Sequence, residues 1–145
     1  MAIKASTGLR NSVLVTGSLK AALANGFVKI YSGTPPADAD AAVTGTLLCT
    51  IGDGDGSPGL NLAATASGGV VQKDAGESWQ GACVATGTAA YYRHVGASDT
   101  GALSTTEPRI QGTVGTVGTD LELSSVALVS AATQTIDYYS VAFPA

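Results

Sequence analysis

The stretch that decides the fold covers residues 28–40 and reads VKIYSGTPPADAD. Its first half alternates apolar Val28 and Ile30 with Lys29 and Tyr31, which is the period-two pattern of a half-buried β-strand. The glycine and the proline pair that follow end the strand, because proline has no N–H for a sheet ladder. We therefore expect a strand that runs into a long irregular loop.

The chain beyond this stretch repeats the pattern in short apolar segments separated by glycine-rich turns. The predicted strands are residues 27–32, 46–51, 60–67, 69–73, 78–86, 88–95, 109–114, 121–129 and 133–143. Residues 66–70 and 85–89 carry the glycines of tight hairpin turns. Short strands with no crossover helices between them favour antiparallel sheets. We predict an all-β fold, an antiparallel β-sandwich of jelly-roll or immunoglobulin-like type.

One helix is predicted ahead of the strands, over residues 7–23. Thr7 can cap its start, and Asn25 with Gly26 gives a stop signal. Gly17 and the β-branched residues around it weaken the middle, where a break is expected. We divide the chain into an N-terminal helix or arm, residues 1–25, and a β-sandwich domain, residues 26–145. The candidate partner-interface residues are Leu9, Val13, Leu14, Leu19 and Tyr31.

Composition narrows the classes of partner. Only 12% of the 145 residues are charged and the net charge is −4, with seven scattered basic residues. Binding of nucleic acid or of an anionic membrane needs clustered Lys and Arg, so neither is expected as a partner. No apolar run approaches the roughly 20 residues that span a bilayer, and the N-terminus lacks the apolar stretch of a secretory signal.

Cys49 and Cys83 each lie in an apolar-alternating segment and have no CxxC spacing. They are therefore unsuited to a metal or redox motif. Two interpretations stay open. The thiols are free and buried, or they form a disulfide between neighbouring strands once the protein leaves a reducing cytosol.

Groups for catalysis are sparse. His94 is the single histidine, and no nucleophile-elbow motif accompanies it, so we expect a structural role for it and no enzyme. The acidic run at residues 53–57 has Pro58 and Ala64 where a calcium loop needs glycine and glutamate, so we predict a hairpin tip. Residues 112–120 lack the Lys-Ser/Thr ending of a phosphate loop and are predicted as a turn. Asp38 and Asp40 are interpreted as solubilising loop residues. We expect no metal and no cofactor.

Aromatic side chains offer one further class of site. A carbohydrate site stacks an exposed ring on a sugar, and the rings available are Trp79, Tyr91, Tyr92, Tyr138 and Tyr139. In a strand, alternate residues point to opposite faces. We therefore expect one tyrosine of each adjacent pair in the core and one outside, with core or interface roles favoured over ligand stacking.

Several segments in order along the chain resemble a family of small structural proteins carried by tailed bacteriophages. These segments are KIYSGTPPADAD at residues 29–40, LLCTI at 47–51, RIQGTVG at 109–115, DLEL at 120–123 and TIDYYSVAFP at 135–144. The resemblance implies a β-sandwich subunit with a short N-terminal helix and with no enzymatic residues to transfer. It also implies a protein made in the host cytoplasm and carried in the virion.

The resemblance leaves several roles open. A capsid decoration or cement protein would bind the major capsid protein or other virion subunits and bridge them, and self-association is expected from exposed strand edges. A collar, neck or tail-associated ring subunit is the alternative within the same particle. A module that binds host glycans is the alternative outside it.

Overall fold

The computed structural model describes residues 3–54 and 58–143, which form one all-β unit with a short helical N-terminus. The strands are β1 (Lys4–Ala5), β2 (Phe27–Tyr31), β3 (Leu47–Asp53), β4 (Val70–Gln72), β5 (Trp79–Ala82), β6 (Gly87–Thr88), β7 (Tyr91–Val95), β8 (Arg109–Gly115), β9 (Leu121–Glu122), β10 (Ala127–Leu128), β11 (Thr133–Thr135) and β12 (Ser140–Ala142). The helical segments are α1 (Thr7–Asn11), a π-helical turn (Ser12–Thr16) and α2 (Leu19–Ala22). Part of the acidic run predicted as a hairpin tip, residues 55–57, lies outside the described residues.

One large sheet organises the fold, with strand order β1-β8-β7-β2-β3-β5-β11. Every pair along this path is antiparallel, and β9 adds to β8 as a parallel strand. Two further antiparallel pairs, β6 with β10 and β4 with β12, pack around it. The predicted all-β antiparallel sandwich-like fold is confirmed.

The apolar face of this sheet forms the core. On β2 it presents Val28 and Ile30, whose register partners on β7 are His94 and Tyr92. Trp79 of β5, with Leu60 and Leu62 from the segment between β3 and β4, completes the same buried cluster. Alternation along β2 therefore delivers the apolar residues to the core, as the sequence pattern predicts.

The opposite face of β7 and β8 is also buried, but it is polar. It carries Arg93, Arg109 and Gln111, all at or near zero exposure. Two loops, residues 32–46 and 96–108, cover this face and accept its hydrogen bonds. Buried charged groups need such partners, because an unpaired charge in the interior is strongly destabilising.

The N-terminal segment packs into the same core. Ser6, not Thr7, caps α1, since its Oγ accepts from the Leu9 N–H at 3.1 Å. The expected break in the middle of the helix is confirmed: the Gly17 N–H donates to Ser12 O at 2.9 Å, which closes a π-helical turn before α2 begins. Asn25, with φ 55°, ends the segment in the left-handed conformation that the stop signal predicted.

Several predicted strands are shorter than the apolar patterns suggest. Residues 60–67 make only isolated bridges, and the segments 88–95, 121–129 and 133–143 are each interrupted. The interruptions arise because parts of each segment bond to different neighbours. Along the last segment, β11 pairs with β5 and β12 pairs with β4.

The glycine-rich turns divide into confirmed and wrong predictions. Ser67 and Val70 exchange both backbone hydrogen bonds at 3.0 Å around two glycines of positive φ, which confirms that hairpin. The hairpin predicted at residues 85–89 is wrong, because Gly87 lies in β6 and pairs with Leu128. The turn predicted over residues 112–120 begins only after Gly115, since the earlier residues belong to β8.

Candidate functional site

An apolar groove lies where the N-terminal segment meets the C-terminal strand. Its volume is about 360 Å³, and almost all of its surface is apolar. The lining residues are Ile3, Ala5, Leu9, Arg10, Val13, Leu14, Leu19, Ile110, Val141, Ala142 and Phe143. A concave apolar groove open to solvent is a candidate site of interaction.

The rim of the groove is formed by side chains that have no cover within the subunit. Leu14 is 80% exposed and Phe143 64%, and Val15, next to Leu14 in the chain, is 87% exposed but does not line the groove. Leu14 and Val15 both belong to the π-helical turn, which has no buried residue, whereas the buried Leu9 belongs to α1. Turns of this kind are frequent at functional sites.

A second cleft, of about 300 Å³, continues the apolar surface along the same side of the molecule. It shares Leu19, Val141 and Phe143 with the groove and extends over the alanines of residues 63–66. We call the groove and this cleft together the apolar channel. The apolar channel is lined by the N-terminal segment, by residues 63–71 and by the C-terminal strand.

An unpaired strand edge and two basic side chains lie beside the apolar channel. β1 is the terminal strand of the large sheet and pairs on one side only, with β8, within residues 3–54 and 58–143. An unpaired strand edge beside an apolar groove is the arrangement by which proteins bind an added β-strand. Arg10 lies in the wall of the groove and Lys20 in the wall of the second cleft. Two of the seven basic residues of this acidic protein are therefore at the channel.

Four of the five residues predicted as partner contacts line the groove, and Tyr31 does not. Leu14 is exposed and Val13 half-buried at the groove, whereas Leu9 and Leu19 form its buried floor. Tyr31 does not line the groove. It is buried on the polar face of the sheet and stacks on Tyr91 with ring centroids 5.0 Å apart. Phe143 was missed by the sequence reasoning, because its place at the groove depends on how the C-terminal strand packs.

The polar face, which we call the polar layer, fixes the loop that contains the proline pair. Gln111 Nε2 donates to Pro36 O at 2.9 Å, Arg93 Nη2 to Asp38 O at 3.2 Å and Arg109 Nη1 to Ala39 O at 3.1 Å. The loop of residues 32–46 is therefore bound through its carbonyl groups, which do not depend on side-chain identity. These hydrogen bonds fix the loop to the sheet.

The interpretation of Asp38 and Asp40 as solubilising residues needs correction. Asp40 accepts from the Thr7 N–H at 2.7 Å and from its hydroxyl at 2.6 Å, which joins the loop to α1. These hydrogen bonds hold the pKa of Asp40 below its ordinary value. Asp38, although exposed, accepts from the N–H groups of Asp40 and Ala41 and so shapes the turn.

Cys49 and Cys83 are free thiols, both buried, and they are register partners across the β3 and β5 side of the sheet. Cys49 Sγ lies 3.4 Å from Gly81 O. Burial, together with the neighbouring Cys83 side chain, raises the pKa of Cys49 to about 12. The structure thus places the two thiols side by side.

His94 is fully buried among Trp79 and Tyr139, as a structural histidine would be. Its Nδ1 lies 3.2 Å from the Tyr139 hydroxyl, and its Nε2 has no hydrogen-bond partner among the described residues. Burial lowers the pKa of His94 to about 4, because the charged imidazolium is poorly solvated there.

The tyrosine pairs behave differently from each other. Tyr138 is 68% exposed and Tyr139 buried, which confirms the expected alternation. Tyr91 and Tyr92 are both buried, so that expectation is wrong for them, because loops cover the second face of β7. Tyr138 lies at a cleft of about 340 Å³ whose walls include Asp120, Glu122 and Asp137.

Comparison of the chain with protein-family models, with curated proteins and with solved structures found no match. Among residues 3–54 and 58–143, no helix has the length and apolar character needed to cross a membrane.

Proposed function

We propose that the chain is a non-enzymatic structural subunit of a tailed-phage virion, and that it serves as a capsid decoration protein. In this role it binds the major capsid protein through the apolar channel and stabilises the head by bridging shell subunits. The observation that carries the proposal is the exposure of Leu14 and Phe143 at a groove with an apolar floor. The segments that resemble the phage family support it independently.

The features of the channel specify what it would bind. An extended segment of a shell subunit with apolar side chains at alternate positions would fill the groove and add to the β1 edge. Carboxylates flanking those apolar residues would meet Arg10 and Lys20. Each apolar side chain that becomes fully buried on binding contributes about 1.5–3 kcal/mol, which is offset by the loss of translational and rotational freedom on association.

Copy number tests the place of the protein in the particle. Quantitative mass spectrometry of purified particles would compare the protein with the major shell protein. A copy number similar to that of the shell protein supports decoration. A small fraction of that number indicates the collar, neck or tail ring instead, and absence from the particle contradicts the proposed function altogether.

A matched pair of variants tests the binding surface. Leu14→Asp places a charge in the groove, whereas Leu103→Asp places one at a leucine of similar exposure, 74%, outside the channel lining. In co-sedimentation with particles that lack the protein, Leu14→Asp should weaken binding by about 10- to 100-fold, and Leu103→Asp should leave it unchanged. Equal binding by the two variants would exclude the channel as the interface.

Glycan binding is a second candidate, favoured by the cleft at Tyr138. An exposed ring beside carboxylates and hydroxyl groups can stack on a sugar and hydrogen-bond to it. Tyr138→Ala should then abolish binding on a glycan array, while Phe143→Ala, at an aromatic residue of similar exposure away from this cleft, should retain it. Absence of glycan binding by the unmodified protein would remove this candidate.

A further inference from the structure

The pairing of Cys49 with Cys83 has a definite hydrogen-bond geometry. Val84 N–H donates to Leu48 O at 2.8 Å, which makes the neighbouring pair a hydrogen-bonded one. Hydrogen-bonded and non-hydrogen-bonded pairs alternate along an antiparallel ladder, so Cys49 and Cys83 form a non-hydrogen-bonded pair. The backbone groups of Cys83 agree, since they bond on the other side, to Ala132 O and the Ala131 N–H.

Non-hydrogen-bonded pairs bring the two residues closest together. Their Cα atoms lie roughly 4.5 Å apart and their side chains point to the same face. That separation falls within the range of about 4.4–6.8 Å over which a disulfide closes without backbone movement. Gly81, whose carbonyl oxygen lies 3.4 Å from Cys49 Sγ, adds no side chain to crowd the sulfur atoms.

We propose that Cys49 and Cys83 are an oxidation site that closes to an intrachain cross-strand disulfide. With a small-molecule disulfide as oxidant, Cys83 attacks first and forms a mixed disulfide, releasing one small thiol. Cys49 then gives up its proton and attacks the Cys83 sulfur, releasing the second small thiol. Two protein thiols are oxidised and one small-molecule disulfide is reduced to two thiols, which receive both protons.

Access to the buried pair runs through the turn between β10 and β11. Cys83 is the less buried of the two, and the backbone of this turn is bonded to it. Ala131 in the same turn has φ 70°, a conformation that residues other than glycine rarely adopt. Opening of the turn exposes Cys83 before Cys49, so we expect oxidation to be slow and to accelerate in mild denaturant.

The test uses the full chain incubated with oxidised glutathione. We expect the loss of both thiols, a single chain lighter by two hydrogen atoms, and a linked peptide that contains Cys49 and Cys83. The closed loop of about 35 residues should raise Tm by roughly 10 °C, reversibly with reductant. The proposal is overturned if both thiols stay titratable in denaturant or if oxidation stops at separate glutathione adducts. An intermolecular disulfide on a non-reducing gel would overturn it as well.

Cys83→Ser is the control, and its Tm is compared with and without oxidant, so that a lower starting Tm does not affect the comparison. This variant should never form an intrachain bridge, and its Tm should not rise with oxidant even if its starting Tm is lower. A rise in Tm of the variant equal to that of the unmodified protein would show that the stabilisation has another cause.

Discussion

Arg109 and Asp99 form a bidentate ion pair in which Nε lies 2.5 Å from Oδ2 and Nη2 lies 2.8 Å from Oδ1, with both side chains 1% exposed. Burial opposes ionisation of Asp99, but hydrogen bonds from Arg109 and from the Gly101 N–H hold its pKa below the ordinary value. The same arginine also donates to carbonyls of both covering loops. The pair therefore fixes two loops to the sheet at once.

Replacing Asp99 with asparagine should strongly destabilise the fold. The change leaves the Arg109 guanidinium buried without its counter-ion, which costs about 3 kcal/mol or more. Urea denaturation would measure the loss, and hydrogen exchange should show faster exchange in residues 32–46. Asp137→Asn, at an exposed aspartate, is the control and should stay within about 0.5 kcal/mol of the unmodified protein. Similar stability of the two variants would contradict this role for the pair.

The polar layer shows where the sequence pattern stops being informative. Alternation predicted β2 and the burial of Val28 and Ile30 correctly, because one face of a strand must meet the core. Nothing local in the sequence identifies Arg93 and Arg109 as buried. Their partners come from loops, and the loop carbonyls that accept from them have no signature in residue type.

The two stacked tyrosines, Tyr31 and Tyr91, differ in the hydrogen bonds of their hydroxyl groups. The Tyr91 hydroxyl donates to Thr44 O and accepts from the Thr44 N–H at 3.1 Å, whereas the Tyr31 hydroxyl has no such bond among the described residues. Tyr91→Phe should therefore lower the free energy of unfolding by about 1–2 kcal/mol and loosen the loop at residue 44. Tyr31→Phe preserves the ring stack and should change stability much less. A larger effect at Tyr31 would contradict the assignment.

At Gly8, close backbone packing and helix propensity favour opposite outcomes for a change to alanine. Alanine favours a helix interior over glycine by about 1 kcal/mol. A Cβ at Gly8, however, would lie 2.3 Å from Thr106 O and 2.7 Å from Glu107 O, both backbone atoms. Gly8→Ala should destabilise the protein in thermal unfolding. At Gly17 the nearest atom would be the Ala21 Cβ at 3.7 Å, so Gly17→Ala should be near neutral. Stabilisation by Gly8→Ala would show that α1 can move off the loop of residues 96–108.

The apolar channel was partly predictable. The predicted helix over residues 7–23 supplied Leu9, Val13, Leu14 and Leu19 as candidate interface residues, and a break near Gly17 followed from its low helix propensity. Spacing alone could not indicate that Leu9 would be buried in α1 while Leu14, in the π-helical turn, would be exposed. Phe143 could not be predicted either, because it approaches Leu19 only through the pairing of β12 with β4.

The lowered pKa of His94 makes the free energy of unfolding depend on pH. Its pKa is about 4 in the folded protein and about 6.5 when unfolded, so between these values the unfolded chain binds a proton that the folded protein does not. Stability is fully present above pH 6.5 and should fall by roughly 1.4 kcal/mol per pH unit as the pH drops towards 4. Urea denaturation at a series of pH values would measure this slope.

His94→Phe isolates the contribution of the imidazole, because His94 is the only histidine in the chain. Phenylalanine keeps an aromatic ring beside Trp79 and Tyr139 and removes the titrating group. The variant should lose most of the slope between pH 6.5 and 4. Stability should still fall below about pH 4, where protonation of Asp99 and Asp40, whose folded pKa values are both lowered, begins to favour the unfolded chain. An unchanged slope in His94→Phe would show that another group controls acid sensitivity and that the buried imidazole is solvated more readily than its surroundings indicate.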